Sequence, residues 1–278
     1  GHTSFKIGGP ADILVLPESI EQLREVLKVV KETVVPLTLL GNGSNVLVRD
    51  KGIRGIVIKL GNMLRHFYEA EDLLVFGSGY SLALASYKAM ECGRTGMEFA
   101  VGIPGSIGGA VYMNAGAYDG EMQNIVNCVK VMDLQGNERV LTAEELNFGY
   151  RKTSLQNSGL IVTEVTLKMP SGNKDEIKSK MDDFSHRRIS KQPLEMPSAG
   201  SMFKRPPGYF AGTLIDQAGL KGYTVGGAQI STKHAGFVVN VGGATAADVL
   251  QLIKDVQTKI KAGVGVELQP EVLVIGEE

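Results

Sequence analysis

The sequence gathers its glycines into short clusters that follow apolar segments, and this arrangement constrains the fold more than any other feature. The chain has 278 residues, of which 35 are glycine, and two of the clusters are GNGSN at 41–45 and GIPGSIGGA at 102–110. Glycine takes positive φ readily and lets backbone approach a ligand closely. Successive backbone N–H groups in such a loop can form a concave nest for a pyrophosphate. Two nests of this kind can grip opposite sides of one extended dinucleotide.

A third cluster, GSGYSL at 77–82, is close to the dinucleotide fingerprint of the Rossmann fold. An apolar strand precedes Gly77 and Gly79, and a helical pattern follows them. Leu82 stands where the third glycine is needed, and the segment before Glu98, the acid at ribose-binding distance, is helical rather than extended. We therefore interpret this cluster as a tight strand-to-helix turn. The sequence also contains no Walker-type GxxxxGK[ST] string.

The hydrophobic pattern along the chain predicts an α+β fold in three compact units, at 1–65, 66–170 and 171–278. In the first unit, Ser19 and Gln22 form a capping-box signature before a helix. In the second, Gly93 is placed to end a helix, and VKVMDLQGNERVLT reads as a hairpin. Asn173 then caps a polar helix whose inner face follows helical spacing. The third unit holds a short helix GTLIDQAGL, a strand HAGFVVN, a long helix AADVLQLIKDVQTKIKAG and a final strand EVLVIG.

Charge and composition exclude several classes of function. The net charge is −1 with no basic block, which argues against nucleic acid as a partner. No apolar run reaches the roughly 20 residues needed to cross a bilayer, and the first residues lack a signal pattern, so we expect no membrane association and a cytoplasmic location. Cys92 and Cys128 are the only thiols and the four histidines lack ligand spacing, so we expect no metal.

Ordered motifs over the whole chain carry a family resemblance. They are LLGNGSNVLV, GIPGSIGGAVYMNAGAY, GYRKTS, PSAGSMFKRP, KHAGFVVN and QPEV. In this order and spacing the chain resembles the UDP-N-acetylenolpyruvoylglucosamine reductases of bacterial peptidoglycan synthesis. The resemblance implies a two-part FAD-binding domain of the vanillyl-alcohol-oxidase (PCMH) type and a C-terminal α+β substrate-binding domain. It also implies an NADPH-dependent reduction of an enolpyruvyl ether to UDP-N-acetylmuramate.

The same resemblance assigns both glycine loops to FAD. We expect FAD to bind non-covalently, because the first loop and its sequence neighbours contain no histidine to which it could be attached. The predicted cofactor-binding residues are Gly41, Asn42, Gly43, Ser44, Asn45, Gly102, Ile103, Pro104, Gly105, Ser106, Gly109, Asn114 and Gly116.

Reduction of an enolpyruvyl group needs a hydride, a stabilised enolate and a proton. The family's catalytic arginine, proton-donating serine and glutamate correspond by motif to Arg151 in GYRKTS, Ser201 in SAGSMF and Glu271 in QPEV. The planar fork of an arginine suits a substrate carboxylate. A hydroxyl can protonate an enolate if nearby charges hold the alkoxide. A glutamate whose pKa is raised by burial could donate a hydrogen bond to the intermediate.

The substrate's diphosphate requires cations, and Lys204, Arg205, Lys233 and His234 are the candidates, with Tyr150 near the sugar. Arg205 replaces an asparagine that is more usual in the family. Only 49 residues separate Arg151 from Ser201, which resembles the shorter family branch without a tyrosine-bearing loop insert.

Two other functions remain open at this level. One is an FAD-dependent oxidase on the same scaffold, which passes electrons to oxygen and needs no proton-donating serine. The other is a non-catalytic nucleotide-binding protein. We expect a monomer or a weak homo-oligomer that acts on a small UDP-sugar.

Overall fold

The computed structural model describes residues 1–61 and 64–278 and has the mixed composition of an α+β protein. The helices are α1 Ile20–Thr33, α2 Leu82–Glu91, α3 Ile107–Tyr112, α4 Lys174–Lys191, α5 Ala211–Gln217 and α6 Ala246–Val264, with short 3-10 turns at Glu98–Ala100 and Met122–Asn124. The strands are β1 Ala11–Val15, β2 Leu37–Leu40, β3 Val46–Val48, β4 Ile53–Lys59, β5 Phe67–Ala70, β6 Leu73–Gly77, β7 Gly116–Ala117, β8 Gly120–Glu121, β9 Val126–Met132, β10 Glu138–Thr142, β11 Ile161–Lys168, β12 Ser198–Ser201, β13 Thr224–Val225, β14 Ala228–Ile230, β15 Phe237–Asn240 and β16 Leu273–Ile275. No helix in this described part of the chain has the length and apolar character to cross a bilayer.

The chain forms two compact units, and neither is a single stretch of sequence. Unit 1 contains residues 1–13, 43–54 and 189–278, and unit 2 contains residues 14–42 and 55–188. Unit 1 gathers the early segments because β3 pairs in parallel with β16 and because Phe5 and Leu47 are buried in the same core as the C-terminal helices. The predicted boundaries at residues 65 and 170 coincide with no break between these units, and the three-domain division stays a prediction.

Unit 2 is built on an antiparallel sheet with the strand order β10-β9-β11-β6-β5. Alternate apolar side chains of β6, β9 and β11 form a core with α2 and α3, in which Phe76, Val129 and Ile107 are fully buried. A smaller core lies between α1 and the parallel pair β2–β4. Helix α4, expected from sequence to open the third domain, packs its apolar face against Val101 in this unit. The two glycine loops therefore emerge from well-packed elements.

Local capping signals fix where the helices of unit 2 begin and end. The Ser19 hydroxyl accepts the Gln22 N–H, as predicted, but the Gln22 side chain accepts from the Glu18 N–H, so the reciprocal half of the capping box is shifted by one residue. Gly93 follows the last turn of α2 with φ of 65°, as predicted for a C-terminal glycine. The Asn173 side chain accepts the backbone N–H of Asp175 at 2.9 Å, which confirms its capping role.

Unit 1 combines the sheet β12-β15-β14-β13 with helices α5 and α6. The side chains of Val249, Leu252 and Val256 on α6 are fully buried against this sheet and the early segments. Thr245 and Asp248 close a complete capping box at the start of α6. Asp50 also accepts the Ala246 backbone N–H at 2.7 Å, which satisfies another donor at that helix end.

Candidate active site

The start of the first glycine loop and the second loop are neighbours within unit 2. A Cβ placed on Gly41 would lie 3.1 Å from Oγ of Ser106. Ser106 begins α3, and its hydroxyl accepts the Gly109 N–H at 3.3 Å. Gly102 and Gly105 have φ of 72° and 144°, conformations that L side chains rarely adopt. The proximity of Gly41 to Ser106 brings the start of the first loop next to the second loop.

The third glycine cluster belongs to the same surface, which the sequence interpretation missed. Ser81 pairs with Ser106 in an antiparallel bridge, and the Gly108 N–H donates to the Ser78 carbonyl at 2.9 Å. Ser78 is only 3% exposed, and within residues 1–61 and 64–278 its buried hydroxyl has no hydrogen-bond partner. Buried hydroxyls are nearly always hydrogen-bonded. A ligand that lies on this surface could supply the missing partner, so the residues present suit a bound cofactor.

A buried arginine beside the second loop was also not anticipated. Arg188 on α4 is 8% exposed and donates from Nη1 to the Gly102 carbonyl at 3.3 Å. Burial lowers the pKa of the Arg188 guanidinium, because desolvation disfavours its charged form. Helical spacing from Phe184 could have placed Arg188 on the inner face of α4, but the residue type suggested solvent exposure. It adds positive charge next to a loop rich in backbone N–H groups.

The end of the first loop lies in unit 1 and contacts the segment of the predicted glutamate. Gly43 has φ of 66°, and a Cβ there would come within 2.6 Å of the His2 carbonyl oxygen. The Asn45 side chain donates from Nδ2 to the Glu271 carbonyl at 3.2 Å. Glycine is therefore required at position 43 for steric reasons, and Asn45 links the loop to Glu271.

Two of the predicted catalytic residues lie on adjacent backbone segments of unit 1. The Glu271 N–H donates to the Met202 carbonyl at 2.9 Å, and Phe203 forms a bridge with Pro270. Ser201, at the end of β12, is exposed and Glu271 is half-buried. The structure thus brings together a serine and a glutamate that are far apart in sequence, next to the Asn45 contact.

Arg151, the third, occupies the tip of a tight hairpin in unit 2. Gly149 and Lys152 exchange both backbone hydrogen bonds, at 2.9 and 3.1 Å. Arg151 has φ of 54°, in the left-handed region. Its guanidinium donates to the backbone carbonyls of Asn114 at 3.2 Å and Gly116 at 3.0 Å, and lies 4.9 Å over the Tyr150 ring. These contacts orient the guanidinium without neutralising its charge.

The side chain of Asn114, predicted to bind the cofactor, is directed at protein partners instead. It is fully buried and donates to the Gly149 carbonyl at 3.0 Å, while its Oδ1 accepts the Gln123 N–H at 3.0 Å. Gly116 lies in the two-stranded β7–β8 ribbon, where a Cβ would come within 2.6 Å of the Gly120 carbonyl oxygen. Both positions are explained by packing and hydrogen bonding beneath the Arg151 hairpin.

The predicted diphosphate cations are all in unit 1 but differ in their surroundings. Lys204 follows Phe203, and its backbone N–H donates to the Gln269 carbonyl at 2.8 Å, so it lies near Ser201 and Glu271. The exposed Arg205 guanidinium is 4.0 Å from the centroid of the Phe210 ring. Lys233 donates from Nζ to the Ile189 carbonyl at 2.8 Å. His234 accepts the Gly236 N–H on Nδ1 at 3.0 Å.

His234 should make the protein less stable in mild acid. Burial lowers the pKa of the His234 imidazole, and its Nδ1 already accepts a hydrogen bond. Because the unfolded chain binds the proton more readily, the stability from neutral His234 is present above the unfolded pKa of 6.5 and is lost as pH falls through the folded value. Melting temperatures from pH 8 to pH 5 should fall more for the wild type than for His234→Asn, whose Oδ1 can accept the same N–H. Parallel curves for the two proteins would contradict this role.

In the two described ranges, no group of three or more His, Cys, Asp or Glu side chains is arranged to hold a metal ion. The donor set around the glycine loops consists of backbone N–H groups, hydroxyls and cations. This chemistry suits an anionic organic ligand.

Known proteins match this chain over its whole sequence. Residues 11–142 match the family model described as "FAD binding domain", and residues 192–275 match that of "UDP-N-acetylenolpyruvoylglucosamine reductase, C-terminal domain". A UDP-N-acetylenolpyruvoylglucosamine reductase of Clostridioides difficile is 50% identical over 100% of this chain and 91% of its own, and one from Clostridium perfringens is 52% identical with the same coverage. The crystal structure of the Thermus caldophilus enzyme has a TM-score of 0.84 and 40% identity, and covers 98% of this chain and 95% of its own.

Proposed function

Because the chain belongs to the UDP-N-acetylenolpyruvoylglucosamine reductase family, we propose that its reaction is carried out by Arg151, Ser201 and Glu271. The chain is an FAD-dependent oxidoreductase of peptidoglycan synthesis that reduces the enolpyruvyl group of a UDP-sugar, with NADPH as reductant. The resemblance in the sequence and its predicted fold class are confirmed by the matches over both domains. The oxidase and the non-catalytic alternatives are not favoured.

The proposed cofactor site comprises the two glycine loops together with the unanticipated Ser78. FAD held there would supply the hydride chemistry, in which a hydride taken from NADPH is given to the terminal carbon of the substrate's alkene. The Gly41 backbone N–H in the first loop is suited to the diphosphate, and Arg188 adds positive charge beside Gly102. The Ser78 hydroxyl, which has no hydrogen-bond partner among residues 1–61 and 64–278, supports this assignment.

The proposed role of Arg151 is to hold the substrate carboxylate, on which negative charge grows as hydride arrives. Two backbone carbonyls orient its guanidinium while leaving its charge uncompensated by them. A planar fork can make two parallel hydrogen bonds to a carboxylate, which fixes the alkene as well as binding it. The Tyr150 ring packed against this guanidinium supports a place for Tyr150 beside the sugar.

The proposed role of Ser201 is to give its hydroxyl proton to the carbon that bears the carboxylate. Hydride addition at the terminal carbon leaves an enolate, and the O–H bond of Ser201 breaks as the new C–H bond forms. The resulting alkoxide is then reprotonated from solvent, which the exposure of Ser201 supports. Glu271, with its carboxyl group protonated, is proposed to donate a hydrogen bond to the enolate.

The observation that carries this proposal is the backbone pairing of Glu271 with Met202. It makes Ser201 and Glu271 neighbours, and Asn45 of the first glycine loop bonds the same Glu271. One backbone pairing and one side-chain hydrogen bond thus bring the proposed proton donor, the proposed acid and the end of the first glycine loop together, which supports the proposal.

For the substrate diphosphate, Lys204 and Arg205 are the preferred candidates among the cations. Lys204 lies near Ser201. Arg205 is exposed, and its guanidinium lies over the Phe210 ring, which could add a stacking contact. Lys233 is hydrogen-bonded to a backbone carbonyl, and the lowered pKa of His234 makes it neutral at pH 7, so these two are weaker candidates.

The function is tested by anaerobic absorption spectroscopy. NADPH should bleach the flavin band of the purified protein, and the enolpyruvyl sugar nucleotide should restore it with no oxygen present. Restoration only after oxygen is admitted, together with peroxide, would indicate an oxidase. A colourless protein that cannot be reconstituted with FAD would indicate a non-catalytic binding protein.

Alanine at position 41 should weaken FAD binding without unfolding the protein. A Cβ at Gly41 meets only the Ser106 hydroxyl, at 3.1 Å, but it would occupy the surface on which we expect the cofactor to lie. We expect the dissociation constant for FAD, measured by flavin fluorescence, to rise at least about tenfold, equivalent to about 1.4 kcal/mol. The control is Gly263→Ala in α6, where a Cβ meets nothing within 4 Å. Equal FAD affinity in both variants would remove Gly41 from the site.

We also propose a cytoplasmic location, because the reductant NADPH and the sugar nucleotide are metabolites of that compartment, and a monomer or weak homo-oligomer. Size-exclusion chromatography with light scattering over a concentration series would test the oligomeric state.

A further inference from the structure

Asn114 holds the hairpin that carries Arg151, and it does so from both ends of the arginine. Its side-chain amide is fully buried and donates to the Gly149 carbonyl at 3.0 Å, at the base of the hairpin. Its backbone carbonyl accepts from Nη1 of Arg151 at 3.2 Å, at the tip of the side chain. One residue therefore contacts both the backbone support and the charged group of Arg151.

The Asn114 amide is itself fixed by a set of polar contacts. Oδ1 accepts the Gln123 N–H at 3.0 Å, and Nδ2 also lies 3.2 Å from Oε2 of Glu121 and 3.4 Å from Oε1 of Gln123. Asn114 has φ of 43°, a conformation that asparagine tolerates better than most residues. Both hydrogen-bonding ends of the amide are occupied by protein groups, which fix the side chain in one orientation.

We propose that Asn114 is a positioning residue for Arg151, and not a cofactor ligand, and that it sets the orientation in which the guanidinium receives the substrate carboxylate. This inference rests on the proposed role of Arg151. Arg151 has positive φ and a long side chain, so its guanidinium has many alternative positions unless both its backbone and its tip are held. Misplacement of a substrate-positioning group by about 1 Å can reduce the rate about a hundredfold.

The test is Asn114→Asp, which keeps the size of the side chain and tolerates positive φ but replaces the donor with an acceptor facing the Gly149 carbonyl. We expect kcat/KM for the enolpyruvyl sugar nucleotide to fall at least about tenfold, through both KM and kcat. The dissociation constant for FAD and the rate of flavin reduction by NADPH should stay within about twofold of wild type. The matched control is Asn147→Asp, an exposed asparagine with the same φ of 43° that donates to the Glu145 carbonyl at 3.4 Å. It should behave as wild type.

Asn114→Ala, which adds no charge, guards against a simple effect of burying a carboxylate near Glu121. It should show the same loss in kcat/KM and the same intact flavin reduction. A variant that loses FAD affinity in proportion to its activity would overturn the inference, because that result indicates a cofactor ligand or a general folding defect.

The double variant Asn114→Asp/Arg151→Lys separates this inference from the proposed function. If Asn114 acts through Arg151, the double variant should be about as active as Arg151→Lys alone, because neighbouring residues that act as one unit are not additive. If the loss of activity in the double variant equals the product of the two single losses, the positioning role of Asn114 is overturned, and the proposed role of Arg151 is unaffected. Wild-type kinetics in the Arg151→Lys variant would instead overturn the proposed role of Arg151, and the inference with it.

Discussion

Replacing Ser201 with alanine is expected to abolish most turnover of the enolpyruvyl substrate while flavin reduction by NADPH continues at the wild-type rate. The hydroxyl enters the reaction only when the enolate needs a proton, and a positioned proton donor contributes about a hundredfold to ten-thousandfold. Rapid-mixing absorbance would measure the two half-reactions separately, with loss confined to the step in which the substrate reoxidises the flavin.

Ser198→Ala is the matched control for this experiment. Ser198 lies on the same strand β12, and its backbone carbonyl, which accepts the Ser4 hydroxyl at 2.7 Å, is unaffected by the change. The control should retain both half-reactions. Normal turnover in Ser201→Ala would remove the serine from the mechanism, and slowed flavin reduction by NADPH would show that the change disturbs the cofactor instead.

Arg151→Lys should weaken substrate binding and slow the reaction together. An ammonium cannot donate to the Asn114 and Gly116 carbonyls and to both oxygens of a carboxylate with fork geometry. Each hydrogen bond to a charged group contributes about 1.5–3 kcal/mol, so we expect kcat/KM to fall about tenfold to a hundredfold. Steady-state kinetics with varied sugar nucleotide would show both a higher KM and a lower kcat.

Arg139→Lys on β10 is the control for that substitution, because Arg139 is an exposed arginine of the same compact unit. It should have wild-type kinetics. A change in KM alone for Arg151→Lys would mean that the guanidinium binds substrate without stabilising the charge that develops during hydride addition.

The discontinuity of unit 1 bears on the proposed reaction. The segment 43–54 belongs to the same compact unit as Ser201 and Glu271, so the end of the first glycine loop shares its packing with the residues proposed to protonate the substrate. The proposed cofactor contacts of Gly43 to Asn45 and the proposed proton delivery by Ser201 thus depend on one packed core, in which Leu47 is fully buried. We expect substitutions in this core to affect both steps.

Local sequence patterns were enough to predict several helix ends and the motifs that contain the proposed catalytic residues. Several features depend only on neighbours within one or two helical turns, and such short-range patterns can be recognised in the sequence. They are the caps Ser19 and Asn173, the glycine that ends α2 and the apolar face of α6. The family resemblance supplied Arg151, Ser201 and Glu271 in the same way, because each lies in a continuous motif. Their proposed roles still await experiment.

Which of these segments contact one another depends on the packed fold. Asn45 forms a hydrogen bond to Glu271, 226 residues away in sequence. The Ser78 carbonyl accepts the Gly108 N–H of the second glycine loop, and the Asn114 amide is hydrogen-bonded to the hairpin that carries Arg151. The lowered pKa of the His234 imidazole likewise depends on burial. Hydrogen-bond partners and desolvation are set by groups that are distant in sequence, so no local periodicity or residue type can specify them before the chain has packed.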